Sequence, residues 1–125
     1  MDGVVLIVED EEHIRIVFHD ALHDIGVRVV GAASGEDGVE MYRRHKDEVS
    51  LVVLDLSLPG ISGEETFKLL KEINPGVKVV VSSGFPHEDV TKKFSGTGVA
   101  GYLQKPYNWA TLTESMGKFL GADGR

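Results

Sequence analysis

No cysteine occurs among the 125 residues, which removes disulfides, thiolate nucleophiles and cysteine metal sites together. Long apolar runs are missing too. The most apolar stretches, Val4–Val8, Leu51–Leu54 and Val77–Val81, fall far short of the roughly 20 residues that a membrane-spanning helix needs. The acidic start does not resemble a signal peptide, so the chain is expected in the cytoplasm, without membrane insertion. Basic charge is in short supply: 13 Lys and Arg against 20 Asp and Glu leave a formal net charge of -7. Such a field repels phosphate backbones and anionic lipid surfaces, and argues against direct nucleic-acid binding. Repeats, low-complexity tracts and linkers are also missing. What remains is an ordinary globular composition, 42% hydrophobic and 26% charged, long enough for one buried core. A single domain over 1–125 is expected, with only 121–125 loose.

The pattern alternates between two periods. Val4–Val8 is a β-branched run without polar interruption, as in a strand buried on both faces of a parallel sheet. Ile14, Val17, Phe18, Ala21, Leu22 and Ile25 then recur at helical spacing until Gly26. The unit repeats: a strand over Val27–Ala32, then a helix capped by Ser34 with Val39 and Tyr42 inward. Leu51–Leu54 delivers Asp55 at its carboxyl end. Ser62 with Glu65 opens a helix carrying Thr66, Phe67, Leu70 and Ile73, which Asn74-Pro75-Gly76 ends. Val77–Val81 forms a fourth strand, and a weaker helix runs from about His87 to Phe94. A short strand over Gly101–Gln104 follows, and Asn108 caps a last helix with Leu112, Met116, Phe119 and Leu120 inward. Connections that hold a helix force parallel strands and right-handed crossovers. The fold class is α/β: a (βα)5 doubly wound, five-stranded, flavodoxin-like three-layer sandwich.

In such a sheet, function gathers outside the carboxyl ends of the strands. Those ends supply Glu9 and Asp10, then Asp55, then Ser82 and Ser83, then Lys105 and Pro106. Any one of these acids is ordinary on a solvated rim. Three together are not: at about 5 Å each ionised pair repels by on the order of 3 kcal/mol at an effective dielectric of 20. The cluster calls for a cation, and oxygen ligands without histidine or thiolate favour Mg²⁺, or Mn²⁺, over a Ca²⁺ cage.

Taken in order, Val8-Glu9-Asp10-Glu11, Leu54-Asp55-Leu56 with Leu58-Pro59-Gly60 and Ser62-Gly63, Ser82-Ser83-Gly84, and Lys105-Pro106-Tyr107 resemble the receiver domain of two-component response regulators. The likeness spans nearly the whole chain. It implies that Asp55 accepts a phosphoryl group from a phosphohistidine on a partner sensor kinase. It further implies that Asp10, Asp55 and the Ser57 carbonyl hold Mg²⁺, with Glu9 acting mostly through water. Lys105 would pair with one phosphoryl oxygen, and the Ser82 hydroxyl, vacating space for Tyr102, with another; Ser82 is preferred to the adjacent Ser83 because it directly follows the apolar run, and strand alternation sends the two to opposite faces. That exchange would reshape a surface built from the fourth helix, fifth strand and fifth helix. The Lys105–Pro106 bond is expected to be cis. Glu9 stands where Asp is commoner and Ser82 where Thr is commoner, and both keep the chemistry.

Two rival readings are a degenerate receiver acting only as a protein-binding module, and an aspartate-nucleophile phosphatase. The second would want another aspartate two residues after Asp55, where Ser57 stands. Gly96-Thr97-Gly98-Val99-Ala100-Gly101 matches a dinucleotide fingerprint but follows a helix and enters a strand, the reverse of what a pyrophosphate site needs. His13, His19 and His23 read as solvated, Lys92 and Lys93 as a solvated helix face, and Trp109 as either core or partner surface. The segments Ser82-Ser83-Gly84-Phe85 and Gly101–Tyr107 look most like those of receivers fused to the carboxyl end of sensor histidine kinases, with a histidine phosphotransfer protein as an onward partner. The acidic charge and short tail, which offer no linker to a helix-turn-helix partner, agree with that context.

Overall fold

The computed structural model describes residues 3–124. The elements run β1 (Val4–Val8), α1 (Glu12–Asp24), β2 (Arg28–Ala32), α2 (Gly35–His45), β3 (Val49–Asp55), α3 (Gly63–Ile73), β4 (Val79–Ser83), α4 (His87–Lys93), β5 (Gly101–Gln104) and α5 (Trp109–Gly124). The five strands form one sheet in the order β2-β1-β3-β4-β5, and every neighbouring pair is parallel. This is the doubly wound α/β sandwich expected. The last helix takes in most of the segment expected to be loose, and Arg125 lies outside the described residues.

Strand alternation builds two cores. Val5, Ile7, Leu51, Val53, Val80 and Leu103 face α1 and α5, where they meet Phe18, Leu22, Leu112 and Met116. Leu6, Val8, Val52, Leu54, Val79 and Val81 face the opposite layer and meet Tyr42, Phe67, Leu70 and Phe94. Central strands that are apolar at every position fill both cores at once, which is why their sequence shows no period of two.

Local chemistry sets the element ends. Ser34 Oγ accepts the Asp37 amide at 3.1 Å and Ser62 Oγ the Glu65 amide at 3.0 Å. Asn108 Oδ1 accepts the Thr111 amide at 2.8 Å. Each satisfies an amide the first helical turn leaves without a partner. Gly26, at φ +78°, ends α1, and its amide donates to the His23 carbonyl while that of Val27 donates to Leu22. The far part of the loop after β3 is tied to α2: the Ile61 amide donates to Glu36 Oε2 at 3.2 Å, beside Gly60 at φ +77°.

The fourth strand begins and ends later than its apolar residues suggest. Val77 still belongs to the turn, its amide bonded to the Asn74 carbonyl. At the other end the ladder continues past Val81, because the Leu56 amide donates to the Ser82 carbonyl and the Lys105 amide to the Ser83 carbonyl.

Candidate functional site

The site forms where β1, β3, β4 and β5 end. One carboxylate oxygen from each of Glu9, Asp10 and Asp55 lies within 4.8 Å of the others. This is the one such group among the described residues. Glu9 and Asp55 are buried whereas Asp10 is exposed, so the cluster has two acids in the wall and one at the mouth. Lys105 reaches into it, its Nζ 3.0 Å from Glu9 Oε1 and 3.4 Å from Asp55 Oδ1. The lysine ammonium thus offsets one of the two negative charges the buried acids would carry and lessens their repulsion.

The charges leave their mark on protonation. Burial pushes the Glu9 carboxyl up to about 6, with the Asp55 carboxylate adding to the rise and Lys105 and the Glu11 amide opposing it. For Lys105, burial works downward, but the Glu9 hydrogen bond and the Asp55 and Glu9 charges outweigh it and raise the ammonium above its ordinary value. The Glu9 carboxylate also accepts the Glu11 amide at 3.2 Å, and the Arg15 guanidinium donates to the Glu9 carbonyl at 2.6 Å. Asp55 Oδ1 accepts the Ser57 amide at 3.2 Å, which folds the loop back over the acid.

The two serines ending β4 part company. Asp55 and Ser82 are register partners, and alternation puts both on the α1/α5 face that Val53 and Val80 share. There the Ser82 hydroxyl pairs with the phenol of Tyr107, whose ring stands edge-on to Phe18 at 5.2 Å and 77°. Ser83 falls on the other face, and its Oγ accepts the Phe85 amide at 3.0 Å. Tyr102 is the register partner of Val81 and packs with it into that same opposite core. The sequence reading couples Ser82 to Tyr102; in the sheet they occupy opposite faces, and the hydroxyl on the Tyr102 side belongs to Ser83. The Lys105–Pro106 peptide bond is cis.

Tyr107 and Arg15 are residues that sequence reasoning did not assign to the site. Tyr107 sits two positions after the lysine, and Arg15 one helical turn after Glu11. Neither spacing names its partner in advance. A groove of about 510 Å³ lies beside the acids, lined by His13, Ile14, Val17, Lys105 and Tyr107 among others. His19 and His23 stack on the exposed face of α1, their centroids 6.0 Å apart, and no histidine enters the acid cluster among the described residues. Trp109 is 47% exposed, which decides for surface over core. The glycine-rich stretch from Gly96 follows α4 and leads into β5, an orientation that presents no helix amino end to a phosphate.

A five-stranded parallel sheet with an acid cluster and a lysine at its carboxyl edge defines a class, and the comparisons agree. The chain belongs to the response regulator receiver domain family, whose model matches residues 5–116. It is 25% identical over 120 residues to the sporulation initiation phosphotransferase F of Bacillus subtilis, covering 96% of this chain and 95% of that one. It is 29% identical over 118 residues to the sensor kinase CckA of Brucella abortus, covering 94% of this chain but 12% of the kinase. The signal receiver domain of a putative LuxO repressor protein from Vibrio parahaemolyticus superposes with a TM-score of 0.88 at 24% identity, over 99% of this chain and 94% of that one. Among the described residues no helix is long and apolar enough to cross a membrane.

Proposed function

We propose that this receiver accepts a phosphoryl group on Asp55 from the phosphohistidine of a sensor kinase, as one step of a phosphorelay. The observation that carries the reading is the acid trio within 4.8 Å with one ammonium lodged against two of its members. An Asp55 carboxylate oxygen attacks phosphorus, the P–N bond breaks, and its electron pair returns to the donor imidazole, leaving an aspartyl phosphate. Such a transfer asks the protein chiefly for alignment and for positive charge where charge accumulates.

The donor set fits a hard divalent cation: oxygen ligands only, two buried and one exposed, with room for water. Asp10, Asp55 and the Ser57 carbonyl would hold Mg²⁺ or Mn²⁺, and Glu9 would act through water. Once bound, the ion would supply charge that lets an anionic donor approach three carboxylates. Lys105 would then pair with a phosphoryl oxygen.

A hydroxyl would bind another phosphoryl oxygen. Register with Asp55 supports Ser82. A specific observation favours Ser83 as the second reading: its Oγ accepts from the Phe85 amide, which leaves its own proton free to donate, and it shares a face with Tyr102. Movement of Ser83 would also release Phe85 and reach Tyr102 on the same face, and so alter the surface of α4, β5 and α5.

Intact-mass measurement after incubation with acetyl phosphate and Mg²⁺ tests the central claim. One phosphoryl unit should appear, and it should vanish with EDTA. No mass increase would leave the protein-binding reading in its place. The parent context is proposed as a cytoplasmic hybrid sensor kinase, with a histidine phosphotransfer protein receiving the group onward. The kinase relative, of which this chain spans a small part, supports it. A parent reading frame continuing into a DNA-binding domain would overturn it.

A further inference from the structure

The turn that carries Lys105 is gripped twice by β4. Just before the side chain emerges, the Lys105 amide donates to the Ser83 carbonyl at 2.8 Å. Two residues later the Tyr107 phenol pairs with the Ser82 hydroxyl. The lysine side chain leaves the turn between these two attachments and crosses to Glu9 and Asp55 on β1 and β3.

Each part of the second attachment is built in. Ser82 is 1% exposed, so water has no access to replace its partner. The Tyr107 ring is held by Phe18 at 5.2 Å, which leaves the phenol oxygen little freedom except to meet Ser82. Burial keeps the phenol protonated, pushing its pKa up to about 12, with the Ser82 bond and the Lys105 charge working the other way. A long, flexible ammonium stem is a poor locator of charge by itself. A second anchor on its turn narrows where that charge can sit.

We infer that Tyr107 is a positioning residue: its phenol, seated on Ser82, holds the lysine-bearing turn against β4 so that the Lys105 ammonium stays between Glu9 and Asp55. The consequence for phosphoryl transfer rests on the reading of Asp55 given above, whereas the placement of the lysine concerns the unmodified protein. Tyr107→Phe keeps the ring on Phe18 and removes only the hydroxyl. With the turn loosened, the ammonium repels an incoming divalent cation less effectively and serves a phosphoryl group less well.

The test is a double-mutant cycle with Mg²⁺ as the titrant, read by calorimetry on the whole chain. Losing one hydrogen bond corresponds to roughly a 3- to 10-fold change. Tyr107→Phe should raise Mg²⁺ affinity by about that factor in the parent, do nothing further in Lys105→Ala, and lower the melting temperature by about a few degrees as the buried Ser82 hydroxyl loses its partner. The rate of labelling by acetyl phosphate should fall by a similar factor in the parent and stay flat in Lys105→Ala. Equal shifts in both backgrounds would mean that the phenol acts through general packing, and would overturn the inference.

A metal-free measurement stands independently of the cation. The Lys105 side-chain ammonium should give a slowly exchanging ¹⁵N signal that Tyr107→Phe and Ser82→Ala both broaden. An unchanged signal in these variants would sink the proposal even where Mg²⁺ affinity moves. Should the parent fail to label on Asp55 while this signal still responds, the reading of Asp55 falls and the positioning role stands.

Discussion

On the side of the sheet facing α1 and α5, four strands end in Glu9, Asp55, Ser82 and Lys105, joined by Tyr107 and Arg15. On the opposite side the same sheet end offers Ser83, tied to the Phe85 amide, and the half-buried Tyr102. One side gathers charge and holds it by ion pairs that reach from the end of β5 past β4 to β3 and β1. The other has hydroxyls and a ring next to an exposed loop whose Phe85 is 63% accessible. The difference teaches how a sheet one residue thick keeps a reacting site and a responsive surface adjacent without mixing them: a single step along β4 moves a hydroxyl from one to the other.

The harshest way to break this contrast is Asp55→Asn, which removes the proposed nucleophile. Labelling by acetyl phosphate should fall below detection by intact mass, and label retained in the variant would move the acceptor elsewhere. Lys105→Ala comes next. Losing a charge that is already in place should slow labelling on the order of 10²-fold, with Mg²⁺ affinity similar or higher by calorimetry. Normal labelling in that variant would remove the lysine from the charged side's chemistry.

The two serines sharpen the comparison further. If the responsive side carries the phosphoryl-binding hydroxyl, Ser83→Ala should slow labelling roughly tenfold. Ser82→Ala should then cost no more than Tyr107→Phe does. The reverse ranking, measured under the same donor concentration, restores the hydroxyl to the face that Asp55 occupies. Comparing structures with and without beryllofluoride adds the geometry: Ser83 and the Phe85 loop should shift, and Tyr102 with them.

The smallest effect concerns pH. Glu9 titrates near 6 in the folded protein against an ordinary value of 4.5, so between these values the folded state binds more protons than the unfolded one. Stability without divalent cation should therefore fall as pH rises through that window, by up to about 2 kcal/mol. Glu9→Gln should flatten the slope, and Mg²⁺ at neutral pH should oppose the loss by binding the folded state alone. Urea midpoints at pH 4.5 and 7, with and without the cation, check each part. A slope that survives in Glu9→Gln would assign it to another group.

Much of this was legible in the chain. The uninterrupted Val4–Val8 and Leu51–Leu54 runs mark strands buried on both sides, and Ser34, Ser62 and Asn108 mark helix starts by local hydrogen bonding that needs no tertiary context. The strand-end rule then collects Glu9, Asp10, Asp55 and Lys105. What the sequence hides is parity. Its apolar residues stop at Val81, but the backbone ladder runs two residues further, and only the register with Val81 and Leu103 tells which serine shares a face with Tyr102. Tyr107 was hidden for a related reason: a phenol's partner is set by a strand 25 positions away, and no spacing within its own segment encodes it.

The strap from Glu36 to the Ile61 amide means that the far end of the segment following Asp55 is fastened to a helix that contributes nothing to the acid cluster. A Cβ at Gly60 would lie 2.7 Å from both carboxylate oxygens of Glu36, on a backbone already at φ +77°. Change at Gly60 would therefore be resisted chiefly by conformation, because the Glu36 carboxylate is the free end of an exposed side chain that can give way. An altered register in α2 would be transmitted to the loop carrying Ser57 without touching any charged group there. The heritable tolerances of this receiver are thus set partly by a remote helix, and a survey of tolerated substitutions should find Glu36 and Gly60 constrained as a pair.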